Sequence, residues 1–368
     1  MDKMDRMGKM KIIPVFVPHI GCPNDCVFCN QKRITGKGTV SANAEYVVNI
    51  VEECIKTIKK DTFTELAFFG GSFTAIDLRV QEELLKIGKH YKDMGVVHRM
   101  RCSTRPDAIN EDILELQKKY GMDVIELGIQ SLNDDVLRRS NRGHTSTDSK
   151  NASKLIKEHG FILGHQIMPG LPGSTISTDM ETCDVSISME PDMVRIYPTL
   201  IIRDTDLEQM YYEGSYTPLT LNEAVDISAY MYSNYSINSI NVIRMGLQGT
   251  ETINEQGDVI AGPFHPAFRQ LVEEKLYLSS VLITLKEFDL KGRDIYICAE
   301  KKLISSIAGQ RRSNINKLKE ILSIRNIFFR ESMEEDLITI YNEQNKLGSF
   351  ERKEIFNNYL RKQGEKCI

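Results

Sequence analysis

The stretch KIIPVFVPHIGCPNDCVFC, Lys11–Cys29, joins an apolar, β-rich run to a loop carrying three cysteines within eight residues. Three residues separate Cys22 from Cys26 and two separate Cys26 from Cys29, directly after the first predicted strand. All three sulfurs then lie on one loop at the end of a strand. That geometry fits one iron–sulfur cube: a [4Fe–4S] cluster normally takes four thiolates, and a compact loop giving three leaves one iron open to another ligand. Structural zinc is the competing reading, with four closed ligands and usually a second pair of Cys or His at matching spacing. His19 is close enough to compete as a fourth ligand, yet Pro18-His19 precedes the loop without paired spacing. The other five cysteines, Cys54, Cys102, Cys183, Cys298 and Cys367, stand singly and read as small core hydrophobes or surface thiols.

From Lys11 to about Ile243, short β-rich runs alternate with amphipathic helical stretches, the signature of βα units around a parallel sheet. Six strands are predicted: KIIPVFVP, ELAFF from Glu65, RMRCST from Arg99, DVIELGI from Asp123, FILGHQIM from Phe161 and DMVRIYP from Asp192. Five stretches with helical spacing separate them, several closing on Gly as helix C-termini do. The expected fold class is α/β: a partial (β/α)6 TIM-like barrel, with chemistry at the C-terminal ends of its strands. Near Gly246 the pattern changes, as Gly, Gln, Thr and Pro accumulate through GLQGTETINEQGDVIAGPFHP. This sets a barrel domain at 1–245 and a smaller α+β module at 246–368.

The composition, 41 % hydrophobic and 27 % charged, is that of a folded globular chain. With 47 basic and 51 acidic residues the net charge is −4, so an RNA or lipid partner needs a local basic patch. No apolar run approaches the roughly 18 residues of a membrane span, and the charged, Met-rich start lacks the layout of a secretion signal. A cytoplasmic protein without membrane partners is expected, its thiols reduced.

CPNDCVFC resembles the C-x₃-C-x₂-C signature of the radical S-adenosylmethionine (SAM) superfamily, including the aromatic Phe28 just before the last cysteine. The resemblance implies that the open iron chelates the amine and carboxylate of SAM, and that reduction of the cluster breaks a C–S bond to give a 5′-deoxyadenosyl radical. It also implies a reducing electron donor of flavodoxin or ferredoxin type. FFGGSFT, after the second strand, stands where the superfamily has its methionine-binding loop, with Gly70 and Gly71 at the strand end and Ser72 in the place of a commoner acidic residue.

The later strand ends, CSTRPD, ELGIQSLNDDVLRRSNRGHT, GHQIMPGLPGST and RIYPTLIIRDTDLEQMYYEGSYTP, are similar to the radical-SAM half of the Elongator catalytic subunit, which modifies wobble uridine in tRNA. The similarity runs from about Pro14 to Met245. It implies that Gln130 and Arg142 line the SAM site, Arg142 as a carboxylate partner. By the same resemblance Arg105 and Met168 flank the cofactor, Met168 as apolar cover for adenine, and Tyr197 projects toward substrate. Singly, each has a plainer reading: Arg105 pairs with Asp107 across a turn, Gln130 caps a strand, Met168 is core. His144 and His165 read as structural. Three features depart from the Elongator subunit: it spaces its first two cysteines far more widely, Ser103 stands where it has Glu, and nothing after Gly246 resembles its acetyltransferase domain.

From Arg293 to Asn345 the predicted order strand, helix, GQRR, helix, strand, strand parallels the KH RNA-binding core, in which a short link between helices grips the sugar–phosphate backbone. Ile307, Gly309, Ile315 and Leu318 fit its apolar and first-Gly positions; Arg312 replaces the second Gly. Between Lys301 and Lys319 stand six Lys/Arg and no Asp/Glu, a local patch in which Arg311, Arg312, Lys317 and Lys319 are the candidate RNA contacts. A solvated helical face is the plainer reading.

Together these readings predict a radical SAM enzyme, a transferase or RNA-modifying enzyme, acting on RNA with tRNA the expected class. A radical SAM enzyme on a small metabolite such as a porphyrinogen, and an RNA-binding or redox-sensing Fe–S protein without turnover, are the alternatives.

Overall fold

The structure is a computed structural model that describes residues 10–17, 25–30, 43–59, 62–247, 257–343 and 345–364. It divides into two compact units, Met1–Pro218 with Leu247–Phe264, and Leu219–Gly246 with His265–Ile368. The chain therefore passes between units at 218/219, 246/247 and 264/265, where composition suggests one boundary at 246.

The first unit is built on six strands lying side by side in chain order, all parallel: β1 (Met10–Val17), β2 (Phe63–Gly70), β3 (Arg99–Thr104), β4 (Val124–Gln130), β5 (Ile162–Ile167) and β6 (Met193–Ile196). The connecting helices are α1 (Ala44–Ile55), α2 (Leu78–Asp93), α3 (Glu111–Lys119), α4 (Asp134–Arg139), α5 (Ser146–Glu158) and α6 (Ile176–Ser188). This is the expected partial βα barrel, its sheet having seven strands where the sequence predicts six. Each helix start is marked by chemistry legible in the sequence. Asn43 and Asn110 accept backbone N–H bonds as N-caps, and Thr145 and Thr175 form reciprocal capping boxes with Asp148 and Thr178. After β7 (Ile201–Ile202) and α7 (Asp206–Tyr212) the chain leaves through α8 (Leu221–Ile237) and β8 (Asn241–Met245), then returns as β9 (Val259–Ala261), antiparallel to β7.

The two faces of the parallel sheet differ. Leu66, Phe68, Met100, Cys102, Ile125, Leu127 and Leu163 form the buried apolar face on one side. Residues one step along each strand point the other way, and there the sheet carries charge: Glu65, Arg99, Arg101 and Glu126, all buried. Arg101 lies between the carboxylates of Glu65 (Nε to Oε1, 2.8 Å) and Glu126, and Arg99 pairs with Glu65. Arg195 on β6 completes the layer, its Nε 2.8 Å from Glu126 Oε2. Burial pushes the Glu126 carboxyl up, but Arg195 and Arg101 outweigh it and hold it below the usual carboxylate range.

In the second unit α9 (Phe268–Leu285) precedes β10 (Asp294–Ala299), α10 (Lys301–Ala308), α11 (Ser313–Leu322), β11 (Asn326–Glu331), β12 (Leu337–Tyr341), β13 (Lys346–Glu351) and α12 (Glu354–Gly364). The sheet order is β11-β10-β12-β13, with β10 and β11 parallel and the other pairs antiparallel. The expected strand–helix–GQRR–helix–strand–strand order is present. No helix among the described residues is long and apolar enough to cross a membrane.

Candidate functional site

The cysteine segment is pinned by backbone. Val27 donates its N–H to Ser140 O (3.2 Å) and accepts from Leu207 N–H (2.8 Å), while Cys29 N–H bonds to Cys26 O at 2.9 Å. Asn141 Nδ2 donates to Asp25 O at 2.7 Å. Residues 25–30 are thus tied to the α4–α5 link and to the start of α7. Cys26 is buried and Cys29 half-buried; Cys22 and His19 lie outside the described residues. Among the described residues, no three His, Cys, Asp or Glu side chains gather as a metal site.

Arg142, also buried, reaches from the α4–α5 link toward this segment. Its Nη1 stands 3.2 Å from Cys26 Sγ and its Nη2 donates to Gly128 O at 2.7 Å. Behind it, Arg105 donates Nη2 to Arg142 O (2.7 Å) and Nε to Asp107 Oδ1 (2.6 Å). Arg105 thus makes the expected pair with Asp107 and also fixes the main chain that carries Arg142. Gly128 leaves the space. A Cβ there would stand 2.8 Å from Gln130 Nε2 and 3.4 Å from Arg142 Nη2. Gln130 has a left-handed backbone (φ 62), its carbonyl accepts Met168 N–H at 2.9 Å, and its Oε1 accepts from Gln166 Nε2 at 3.2 Å. Gln130, Gln166 and half-buried Met168 thus adjoin Arg142 across β4 and β5.

The Gly70-Gly71 turn is tied to the end of β1. Gly71 N–H donates to Val17 O at 3.0 Å, and at Gly70 (φ 102) a Cβ would meet the same oxygen at 2.8 Å, so only glycine fits. Ser72, next in the turn, is buried. Phe28 packs with Val27, Ile201, Leu207 and Tyr216. The phenol oxygen of Tyr197 accepts from Arg195 Nη1 at 3.2 Å.

His144 and His165 are both held neutral. Burial lowers His144 to about 4, with Arg142 adding to the effect, and lowers His165 to about 3. His165 sits between the hydroxyls of Ser153 (3.0 Å) and Ser186 (2.8 Å), a structural role.

Sequence reasoning missed the charged layer of Glu65, Arg101, Glu126 and Arg195. Its signal was present as charge alternating with apolar residues in RMRC, IEL and VRI. It also missed Asp179, a buried carboxyl that accepts Gly170 N–H at 2.9 Å and holds the loop after β5. Burial raises it to about 7. Tyr216 fastens the same loop, donating to Gly170 O at 2.6 Å.

In the second unit, Arg311 (φ 49) and Arg312 (φ 62) are exposed and left-handed, so Arg312 takes the kind of backbone that its glycine counterpart adopts freely. Lys317 is exposed, and Lys319 Nζ is 3.5 Å from Asn326 Oδ1. Asn314 holds the hairpin from inside, donating to Glu274 O (2.9 Å) and Ile307 O (3.2 Å).

Comparison with known proteins gives two family profiles, "Radical SAM superfamily" over residues 16–185 and "Radical_SAM C-terminal domain" over residues 191–277. A tRNA uridine(34) acetyltransferase of Methanocaldococcus infernus is 31 % identical over 191 residues, 46 % of this chain and 35 % of that protein. The chain thus spans about a third of that relative's length. An uncharacterised protein of Methanocaldococcus jannaschii is 31 % identical over 233 residues, 60 % of this chain and 70 % of its own. Among solved structures, archaeal Methanocaldococcus infernus Elp3 with an N-terminal deletion aligns with TM-score 0.57 and 22 % identity, covering 73 % of this chain and 63 % of that one.

Proposed function

Since the chain belongs to the radical SAM superfamily, we propose that Cys22, Cys26 and Cys29 hold a [4Fe–4S] cluster with SAM on its open iron, and that the enzyme starts radical modification of a tRNA base. The observation that carries this reading is Arg142, with one nitrogen on Cys26 Sγ and another on Gly128 O at the end of β4. A guanidinium hydrogen aimed at sulfur is an outer-shell hydrogen bond of the kind that orients a metal-binding side chain. Buried Cys26 and half-buried Cys29 offer sulfur ligands to such a cluster. When bound, the cluster supplies the electron that cleaves SAM to a carbon radical.

This chain's own residues orient and enclose. Gly70 and Gly71 let main chain approach the methionyl part, while Gln130 and Arg142, held by Gln166 and Arg105, line the same mouth. Met168 gives an apolar wall and Ser72 a buried polar one. Phe28 anchors the cysteine segment in its apolar cluster. Tyr197, backed by Arg195, offers a hydrogen-bond donor to the substrate. Arg311, Arg312, Lys317 and Lys319 hold the phosphate backbone of the RNA.

The relative named for tRNA uridine(34) supports the tRNA reading; its acetyl transfer is not carried over, because the match covers 35 % of that protein. The test is the mass of each nucleoside in total tRNA from cells lacking this protein, beside SAM cleavage by the purified chain with and without that tRNA. A nucleoside that loses mass in the deletion strain, and cleavage stimulated by its tRNA, are expected. Unchanged nucleosides and tRNA-independent cleavage overturn the RNA substrate.

A further inference from the structure

The sheet of the second unit has one face buried through Ile295, Ile297, Ile327, Ile338, Ile340 and Phe350. On its other face the register aligns Phe328, Tyr296 and Tyr341 in a row across β11, β10 and β12, with Lys346 of β13 beside Tyr341. The rings of Phe328 and Tyr296 stack, centroids 5.3 Å apart and planes 21° from parallel, and Phe328 is 44 % exposed. The guanidinium of Arg330 lies 4.2 Å from the Tyr296 ring centre. The next row, Arg330, Cys298, Thr339 and Ser349, contains no acid. Neither Arg330 nor Lys346 forms an ion pair among the described residues.

We infer that this open sheet face binds unpaired nucleotides of an RNA by stacking their bases on the aromatic row, with Arg330 and Lys346 meeting the phosphates. The inference rests on the RNA reading above and names the form of RNA: single-stranded. Every base has a π-face that can stack on Phe or Tyr, and arginine laid on a ring adds both stacking and charge. The acids in the neighbouring rows of this face, Asp294 and Glu351, are ion-paired to Arg325 and Lys353, so the charge left over is the positive charge of Arg330 and Lys346, which suits a polyanion.

The test uses the full chain and a short oligouridylate, with a blunt duplex RNA as control. Phe328→Ala should weaken oligouridylate binding roughly five- to 150-fold while leaving RNA-free SAM cleavage unchanged. The chain has no tryptophan, so Phe328→Trp gives a single reporter. It should bind as wild type, with its fluorescence quenched by oligouridylate and not by the duplex. An unquenched tryptophan with oligouridylate bound, or a Phe328→Ala chain that binds like wild type, overturns the inference; so does a change in sedimentation of the Phe328→Ala chain with RNA binding intact, which would make the face a protein interface. If tRNA binding that depends on Arg311 and Arg312 persists in those cases, only this inference falls. If no RNA binds at all, the RNA reading falls with it.

Discussion

Arg142 Nη1 lies 3.2 Å from the Sγ of Cys26, two residues 116 positions apart in the chain, while its other terminal nitrogen holds Gly128 O. One planar fork spans a sulfur and a strand end. Lysine carries a point charge and cannot reach both acceptors in that geometry. Arg142→Lys should therefore lower SAM cleavage or cluster retention by about 10- to 100-fold, the usual cost of losing a partner of a metal ligand. Iron content and 5′-deoxyadenosine formation measure it; wild-type values for both contradict the placement.

The charged layer inside the sheet makes Glu126 the shared partner of Arg101 and Arg195. Glu126→Gln leaves the buried guanidinium of Arg101 and the half-buried one of Arg195 short of a counter-charge. Removing one partner of a buried ion pair costs about 3–5 kcal/mol, so the melting temperature of the barrel should fall by roughly 10 °C. Differential scanning calorimetry reads this, and an unshifted transition contradicts the layer.

Asp179 gives a pH dependence. Burial raises its carboxyl from 3.8 to about 7. A raised folded value means that its stabilising contribution is full below about 4 and is lost as pH rises through about 7. Asn in its place keeps an acceptor for Gly170 N–H and does not ionise. Relative to Asp179→Asn, the wild type should lose up to about 4 kcal/mol between pH 4 and pH 8. His144 and His165, held low, act in the opposite sense as pH falls, and they cancel in the comparison. Parallel denaturation profiles for the two proteins contradict the assignment.

Substituting Arg311 and Arg312 together by Ala should weaken tRNA binding and lower the slope of log affinity against log salt by about one for each phosphate no longer neutralised. Filter binding at several salt concentrations measures it. Affinity and slope equal to wild type contradict phosphate binding at the link.

Much of the barrel is legible because its strands obey simple rules: RMRCST reads as a strand over the span that the structure gives β3, and the capped helices begin within a residue or two of their Asn and Thr signals. The helix Leu221–Ile237 is not evident from periodicity. Its buried residues include Ala224, Ser228, Ala229 and Ser233, so no apolar stripe stands out, although the capping box of Thr220 and Glu223 marks its start. The second unit's interleaving with the first also escapes composition, since 219–246 carries no break of its own. In the site, Cys26, Arg142 and Gln130 can be named from motif positions, while Arg105 holding Arg142 O is a tertiary hydrogen bond that no spacing encodes. The charged layer escapes because a charge in a strand pattern reads as a solvent face, and only sheet curvature and pairing bury it.

The most direct measurement is electron paramagnetic resonance on the chain purified and reduced without oxygen, recorded before and after adding SAM, with 5′-deoxyadenosine measured in the same sample. A [4Fe–4S] signal that shifts on SAM addition, and nucleoside release that vanishes in Cys26→Ala and Cys29→Ala, is the predicted result. Zinc in place of iron, or an iron cluster whose spectrum ignores SAM and yields no 5′-deoxyadenosine, contradicts it.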